Sequence, residues 1–230
     1  MSNSPKAKIL VVDDSSTNRM LLQFTLEELG FGVVEAEDGS CAVEIALEEN
    51  FVAILMDINM PRMGGVKALE ILKNLNYSSP IIACSAEDDL KAIQAYLGKG
   101  FAAFIPKPIE PETVAKQLNH LNISTKYESS EIEQSHQNKI EELKHHFLNS
   151  LPGFIERMDK IIKAKDFDEL KRACHKLKAN AGNFGFEKVA QLSKEVEKAI
   201  INSQQEMALK VAHRMLFELL RVNEKQSRSN

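Results

Sequence analysis

Residues 8–14 read Lys8-Ile-Leu-Val-Val-Asp-Asp14, and residues 53–57 read Ala53-Ile-Leu-Met-Asp57. Each is a short apolar run with no polar alternation, closed by carboxylates. A strand with one wet face alternates apolar and polar residues; a continuously apolar run fits a strand covered on both faces, as in a parallel sheet. Three further runs are Gly32-Val-Val-Glu-Ala36, Ile81-Ile-Ala-Cys84 and Ala102-Ala-Phe-Ile105. Between the runs lie stretches of helical period. Leu22, Leu26 and Leu29 share a face, and Gly30 follows as a C-terminal stop. Val66, Leu69 and Leu72 repeat the pattern, as do Ile93, Tyr96 and Leu97, then Val114, Leu118 and Leu121. Strand–helix alternation of this kind predicts an α/β fold, a doubly wound five-stranded parallel sheet over residues 1–123.

The strand signal stops there. Residues 124–137 are polar and read as a linker, although Ser130-x-x-Glu133 has the form of a capping box and places a helix start near 131. Beyond it, Ile140, Leu143, Phe147 and Leu151 make an apolar stripe. Pro152-Gly153 is placed to kink it before Phe154, Met158 and Ile161 or Ile162. Asp166-x-x-Glu169 reads as the cap of a second helix, with Leu170, Cys174, Leu177 and Ala181 inward. Val189, Leu192, Val196 and Ile200 mark a third. Ser203-x-x-Glu206 reads as a capping box before Val211, Met215, Leu219 and Val222. Four amphipathic helices with short turns predict an all-α four-helix bundle over 138–224, with a polar, frayed tail at 225–230.

The 230 residues can bury one or two cores without covalent staples. With 43% hydrophobic and 27% charged residues the composition is that of a folded domain, not a disordered one. No apolar run approaches the roughly 18 residues of a membrane span, and the N-terminus has no signal-peptide core. Three widely spaced cysteines argue against a disulfide framework or a Cys-based zinc site; reduced thiols and a cytoplasmic location are expected. Residues 1–125 carry a net charge of −7, residues 126–230 a net charge of +3. The acidic half argues against nucleic-acid binding; the interspersed charges of the other half read as a solvated helical surface.

In a doubly wound sheet, ligands bind beyond the carboxyl ends of the strands. There the sequence places Asp13 and Asp14, then Asp57, then Ser85, then Lys107. Alone, an Asp pair after a strand is ordinary helix-cap chemistry. Repeated at successive strand ends, the pattern predicts one crevice holding three carboxylates, a hydroxyl and an ammonium. Clustered carboxylates repel and stay ionised together only beside a cation. All-oxygen ligands favour Mg²⁺ or another hard ion. With Lys107 and a Ser85 hydrogen bond, such an ion would neutralise and position a phosphoryl group, and Asp57 would be the nucleophile.

These residues reach a family resemblance. Lys8-Ile-Leu-Val-Val-Asp-Asp14, Met56-Asp-Ile-Asn-Met-Pro61 with Gly64-Gly65, Ser85-Ala86 and Lys107-Pro108 resemble the motifs of the response-regulator receiver domain, a flavodoxin-like fold. The resemblance implies that Asp57 is the phosphoacceptor. It implies that Asp13 and Asp14 bind Mg²⁺ with Asp57 and the backbone carbonyl of Asn59. Ser85 is then the switch hydroxyl, standing where Thr is commoner, and Lys107 contacts the phosphoryl group. Phe104 matches the switch aromatic but, replacing the common Tyr, cannot hydrogen-bond when turned inward. Asn59 and Glu87 occupy the positions that tune self-dephosphorylation, and their polar pairing implies a short-lived acyl phosphate.

A helical histidine is usually surface filler, but His175 has a distinctive face. Lys171, Arg172, Lys178, Ala179 and Gly182 share it at spacings of three and four. Ala179 and Gly182 let another protein approach the imidazole, or else merely permit tight helix packing; the lysines and arginine suit an anionic group. His175-Lys-Leu-Lys-Ala-Asn-Ala-Gly-Asn-Phe-Gly185 is similar to the signature of histidine phosphotransfer (HPt) domains, with Ala179 where Gly is usual. The resemblance implies that His175 is phosphorylated and that Lys178 is its electrostatic helper. His145-His146 has no matching context and reads as exposed helix surface.

The favoured expectation is a two-component phosphorelay protein resembling the C-terminal part of hybrid sensor kinases. Asp57 takes phosphoryl from a phosphohistidine donor, and His175 exchanges it with a receiver aspartate of its own or another chain. Expected partners are a sensor histidine kinase and other receiver or HPt proteins, with no nucleic acid or membrane, and a monomer or weak dimer. The chain starts with Met and has no glycine-rich nucleotide box, so no ATP-dependent kinase activity is expected. The alternative is an adaptor whose bundle binds a partner under control of Asp57 phosphorylation without carrying phosphate.

Overall fold

The computed structural model describes residues 6–86, 89–125 and 129–227, the side chains of 129–133 and 227 excepted. The chain divides into two compact units, Met1–Asn138 and Lys139–Asn230.

In the first unit the strands are β1 (Lys8–Val12), β2 (Gly32–Ala36), β3 (Ala53–Asp57), β4 (Ile81–Ser85) and β5 (Ala103–Pro106). Helices α1 (Ser16–Glu28), α2 (Gly39–Glu48), α3 (Gly65–Asn74), α4 (Leu90–Lys99) and α5 (Pro111–His120) alternate with them. The sheet is parallel in the order β2-β1-β3-β4-β5. Its continuous apolar strands have the expected cause: successive side chains serve different cores. Ile9, Val11, Ala53, Leu55, Ile82 and Cys84 join one core with residues of α1 and α5. Leu10, Val12, Ile54, Met56, Ile81 and Ala83 join the other, with residues of α2, α3 and α4. Helix α4 departs from its expected face. Tyr96 is buried and Ile93 packs on the core, but Leu97 is 42% exposed.

The second unit is built from α6 (Ser129–Ala164, whose first residues fall in the first unit), α7 (Phe167–Asn183), α8 (Glu187–Ile201) and α9 (Gln205–Ser227). Its core joins Leu151, Met158 and Ile162 to Leu170, Cys174, Leu177 and Ala181, and to Val189, Leu192, Val196, Val211, Met215 and Leu219. The stretch read as a linker is helical from Ser129 on, and α9 continues to Ser227. The Ser130 and Glu133 side chains of the proposed capping box lie outside the described residues.

Pro152 sits inside α6, which runs on through it. A buried Leu151 before it and Phe154, Ile155 and Met158 after it pack on the same core. That packing on both sides outweighs the ~3 kcal/mol an internal proline costs. Asp166 caps α7 as expected, accepting from the Glu169 amide at 2.9 Å. Ser203 does not cap α9. It has φ 58° and donates its amide to the Ile200 carbonyl, closing α8 instead. An N-cap needs extended backbone, so that position is lost to the preceding helix. Among the described residues no helix is long and apolar enough to cross a membrane.

Candidate functional site

β1 and β3 are neighbours, and their register pairs Val12 with Met56, so Asp13 and Asp57 emerge side by side. β4 and β5 pair Ser85 with Pro106, which delivers Lys107 to the same sheet end. There the Lys107 Nζ donates to Asp13 Oδ2 at 2.6 Å and to Asp57 Oδ2 at 2.8 Å. A carboxylate oxygen of Asp14 lies within 4.8 Å of one of Asp57. The structure thus brings Asp13, Asp14, Asp57 and Lys107 together.

Backbone and neighbouring side chains aim these carboxylates. Asp57 Oδ1 accepts the Asn59 amide at 3.2 Å. Asp13 Oδ1 accepts the Ser15 amide at 2.8 Å, and the Asn18 side-chain amide donates to both Asp13 oxygens at 3.0 Å. Arg19 donates to the Asp13 carbonyl at 2.8 Å and pairs with Glu35. Asn18 and Arg19, in the first turn of α1 and four and five residues past Asp14, are not among the residues the sequence pattern singles out. Gly65 makes the approach of α3 possible: a Cβ there would meet the Asp57 carbonyl oxygen at 2.3 Å.

Charge is unevenly shared in this crevice. Burial works against the Lys107 ammonium, but Asp57 and Asp13 outweigh it and hold the proton well above the usual range. Burial pushes the Asp57 carboxyl up; Lys107 pulls against this and Asp13 adds to it. One ammonium does not offset all the carboxylates present. The donor set is oxygen-only and still carries excess negative charge, which fits a hard divalent cation.

Of the remaining predicted residues, Ser85 is buried at the end of β4, and its carbonyl accepts the Lys107 amide at 2.8 Å. Phe104 is buried and stacks on Tyr96, with centroids 6.3 Å apart and planes 8° from parallel. Asn59 is exposed. Glu87 lies outside the described residues.

In the second unit, His175 and Lys178 lie one turn apart on α7. His175 Nδ1 is 2.7 Å from Glu197 Oε1, and Lys178 Nζ donates to Glu197 Oε2 at 2.7 Å. Glu197, on α8, was missed by sequence reasoning. The signal was present: 189, 192, 193, 196 and 197 form one inward face, and a glutamate there is out of place among apolar residues. Burial pushes the Glu197 carboxyl up, but the hydrogen bonds from His175 and Lys178 outweigh it and keep it below the usual carboxylate range. Lys171 and Arg172 are exposed; Ala179 and Gly182 are partly exposed. His145 and His146 are exposed on α6.

The family described as "Response regulator receiver domain" matches residues 9–119, and that described as "Hpt domain" matches 142–223. The chemotaxis protein CheY of Bacillus subtilis is 37% identical over 113 residues, covering 49% of this chain and 94% of that protein. The chain belongs to the response-regulator receiver family. It is a receiver–Hpt fusion, and hence a two-component phosphorelay protein. The autoinducer 2 sensor kinase/phosphatase LuxQ of Vibrio vulnificus is 35% identical over 114 residues, which are 49% of this chain and 13% of LuxQ. The solved structure of chemotaxis protein CheY4 from Vibrio cholerae is 32% identical, with a TM-score of 0.47, covering 50% of this chain and 98% of that one. Receiver domains generally bind Mg²⁺ at their acidic pocket, and receiver and Hpt domains interact with kinases and other phosphorelay proteins.

Proposed function

We propose that this receiver–Hpt chain accepts a phosphoryl group on Asp57 and exchanges phosphoryl groups at His175. The observation that carries the first step is the Lys107 ammonium bridging Asp13 and Asp57 at 2.6 and 2.8 Å. A carboxylate held this way is oriented for in-line attack on phosphorus. An Asp57 oxygen forms the new P–O bond as the P–N bond of a donor phosphohistidine breaks, and the bonding pair returns to the imidazole nitrogen, so the ring, keeping the proton on its other nitrogen, leaves neutral. Lys107 contacts the transferring oxygens and Ser85 donates to them. Asp13, Asp14, Asp57 and the Asn59 carbonyl would hold Mg²⁺. When bound, the ion supplies charge neutralisation to the transferring group. Phe104, packed on Tyr96, is the switch aromatic and Ser85 the switch hydroxyl.

At the second site His175 is the nucleophile, exchanging phosphoryl with a receiver aspartate of its own or another chain, and Lys178 helps neutralise the incoming anion. The polar pair Asn59 and Glu87 keeps the acyl phosphate short-lived. A sensor histidine kinase upstream and other receiver or HPt proteins are the partners. The working division is receiver 1–123, connecting segment 124–137, and histidine bundle 138–224.

The test supplies phosphodonor and Mg²⁺ to the wild type, Asp57→Asn and His175→Ala. Base-labile, acid-stable label should vanish in Asp57→Asn. Acid-labile, base-stable label should vanish in His175→Ala, while acyl phosphate remains. Acyl phosphate persisting for many hours in Mg²⁺ contradicts the assignment to Asn59 and Glu87. A bundle that never carries label but still binds a partner supports the adaptor alternative instead.

A further inference from the structure

We propose that Arg62 is a positioning residue of the receiver site: its guanidinium clamps the loop between β3 and α3 to the start of α2, and so presents the Asn59 carbonyl to Mg²⁺. The inference rests on the reading of Asn59 as part of the Mg²⁺ site.

Residues 58–64 join β3 to α3, and Asn59 lies in this loop, just past Asp57. The loop closes on itself where the Gly65 amide donates to the Ile58 carbonyl at 3.0 Å. Its far limb is pinned to a neighbouring segment. The Gly39 amide, at the start of α2, donates to the Met63 carbonyl at 3.0 Å. That junction is tight: a Cβ at Gly39 would meet the Met63 carbonyl oxygen at 2.8 Å. Arg62 adds a side-chain clamp at the same place. Its Nε lies 2.5 Å from Asp38 Oδ2, and its Nη2 donates to Glu37 Oε1 at 2.6 Å. Asp38 caps α2, its Oδ1 accepting the Ser40 and Cys41 amides at 2.8 and 2.9 Å. One carboxylate thus ties the helix start to the loop.

Two features set Arg62 apart from an ordinary surface cation. Asp38 is only 1% exposed, and a carboxylate so buried needs its charge met. The exposed Glu37 by itself would give Arg62 little reason to be fixed. Arg62 also has φ 64°, left-handed backbone that a glycine would adopt without strain. A strained residue whose side chain reaches a buried carboxylate points to what that contact holds in place. Here it holds the loop that carries Asn59. A ligand atom fixed before the ion arrives binds it more tightly than one that must first be ordered.

Clamp and charge predict opposite signs. Arg62 is a cation near a divalent-ion site, so by charge alone its removal strengthens Mg²⁺ binding. Without the clamp the loop samples other positions, and the affinity falls with the fraction of chains that hold Asn59 in place.

The experiment uses the full chain. Arg62→Gly removes the guanidinium and suits the backbone. Arg62→Lys keeps the charge but loses the two-pronged grip. Asp38→Asn keeps a good helix cap and removes the charge that Arg62 meets. Calorimetric titration gives the Mg²⁺ dissociation constant, amide hydrogen exchange reads the Gly39 bond, and the urea midpoint confirms folding. Arg62→Gly should weaken Mg²⁺ binding about tenfold, as when the competent loop falls to a tenth of the population, and should speed exchange at Gly39. Arg62→Lys should lie between it and the wild type. Asp38→Asn should also weaken binding, and the double variant should be no weaker than Arg62→Gly alone, because both substitutions open one clamp. Mg²⁺ binding that is unchanged or tighter in Arg62→Gly, or additive losses in the double variant, overturns the inference. If Arg62→Gly does not fold, Arg62→Lys and Asp38→Asn decide by the same readings. Failure of the wild type to bind Mg²⁺ overturns instead the reading beneath it, and exchange at Gly39 still decides whether Arg62 clamps the loop.

Discussion

At Asp57 one ammonium is shared by two buried carboxylates; at His175 one buried carboxylate is shared by an ammonium and an imidazole. The first arrangement is left with excess negative charge, and the second is close to balanced before any phosphate arrives. On the function proposed above both would handle the same group, yet they ask different things of their surroundings. An excess of carboxylates attracts a divalent cation, which lets a dianionic phosphoryl group enter. On the same reading the histidine site, with the Lys178 ammonium on the carboxylate it shares, needs only donors beside it. Metal dependence should accordingly separate the two sites.

The largest expected effect follows. Removing divalent cations with EDTA should reduce labelling of Asp57 by acetyl phosphate to background. In Asp57→Asn, where the receiver route is closed, phosphohistidine already formed at His175 should decay at the same rate with or without EDTA. If chelation speeds its loss, or leaves Asp57 labelling intact, the contrast between the sites is wrong.

Next in size are the two lysines. Lys107→Met strips the cation from Asp13 and Asp57 and should cost about 3 kcal/mol of stability, as breaking a buried pair does. Saturating Mg²⁺ should return part of that loss by binding the folded state. Lys178→Met should cost about 1 kcal/mol, because Glu197 keeps its bond to His175. Urea denaturation with and without Mg²⁺ measures both, and equal losses would show that the charge balance does not differ.

The two sites also differ in how far they could be read from sequence, and the reason is topological. In the receiver, Asp13, Asp57, Ser85 and Lys107 stand at or just past strand ends, and parallel strands bring their carboxyl ends to one edge. Locating Ile9–Val12, Ala53–Met56 and Ala102–Ile105 therefore located Asp13, Asp57 and Lys107 as well. The histidine site joins two helices. Its local half, His175 with Lys178, is visible as a one-turn spacing on α7. Its other half, Glu197, stands out within α8 as a glutamate on an inward face, but which side chains it meets depends on how α7 and α8 pack together, and no spacing within one helix encodes that. The remaining difference is also tertiary: Ser203 looks like a cap until the turn after α8 claims it.

Glycines carry the comparison to smaller effects. Gly65→Ala would drive a Cβ into the Asp57 carbonyl oxygen, a backbone atom that cannot swing aside. The loss should be about 2 kcal/mol, read from the thermal or urea midpoint. Acyl phosphate formation should fall with it, because relieving the clash shifts the strand end that carries Asp57.

Gly182 is the opposite case. It lies within α7, near its end, and a Cβ there would meet nothing within 4 Å. Alanine is the better helix former, so Gly182→Ala should raise stability by up to about 1 kcal/mol. Yet Gly182 shares a face with His175, where the lack of a side chain leaves room for a receiver to approach. If that room is its purpose, the variant folds more tightly while phosphoryl transfer to His175 slows. If the glycine only serves the bundle, both quantities hold or improve together. Measuring the unfolding midpoint and the rate of His175 labelling on the same preparation separates these outcomes, since a packing role gives no reason for stability and transfer rate to move in opposite directions.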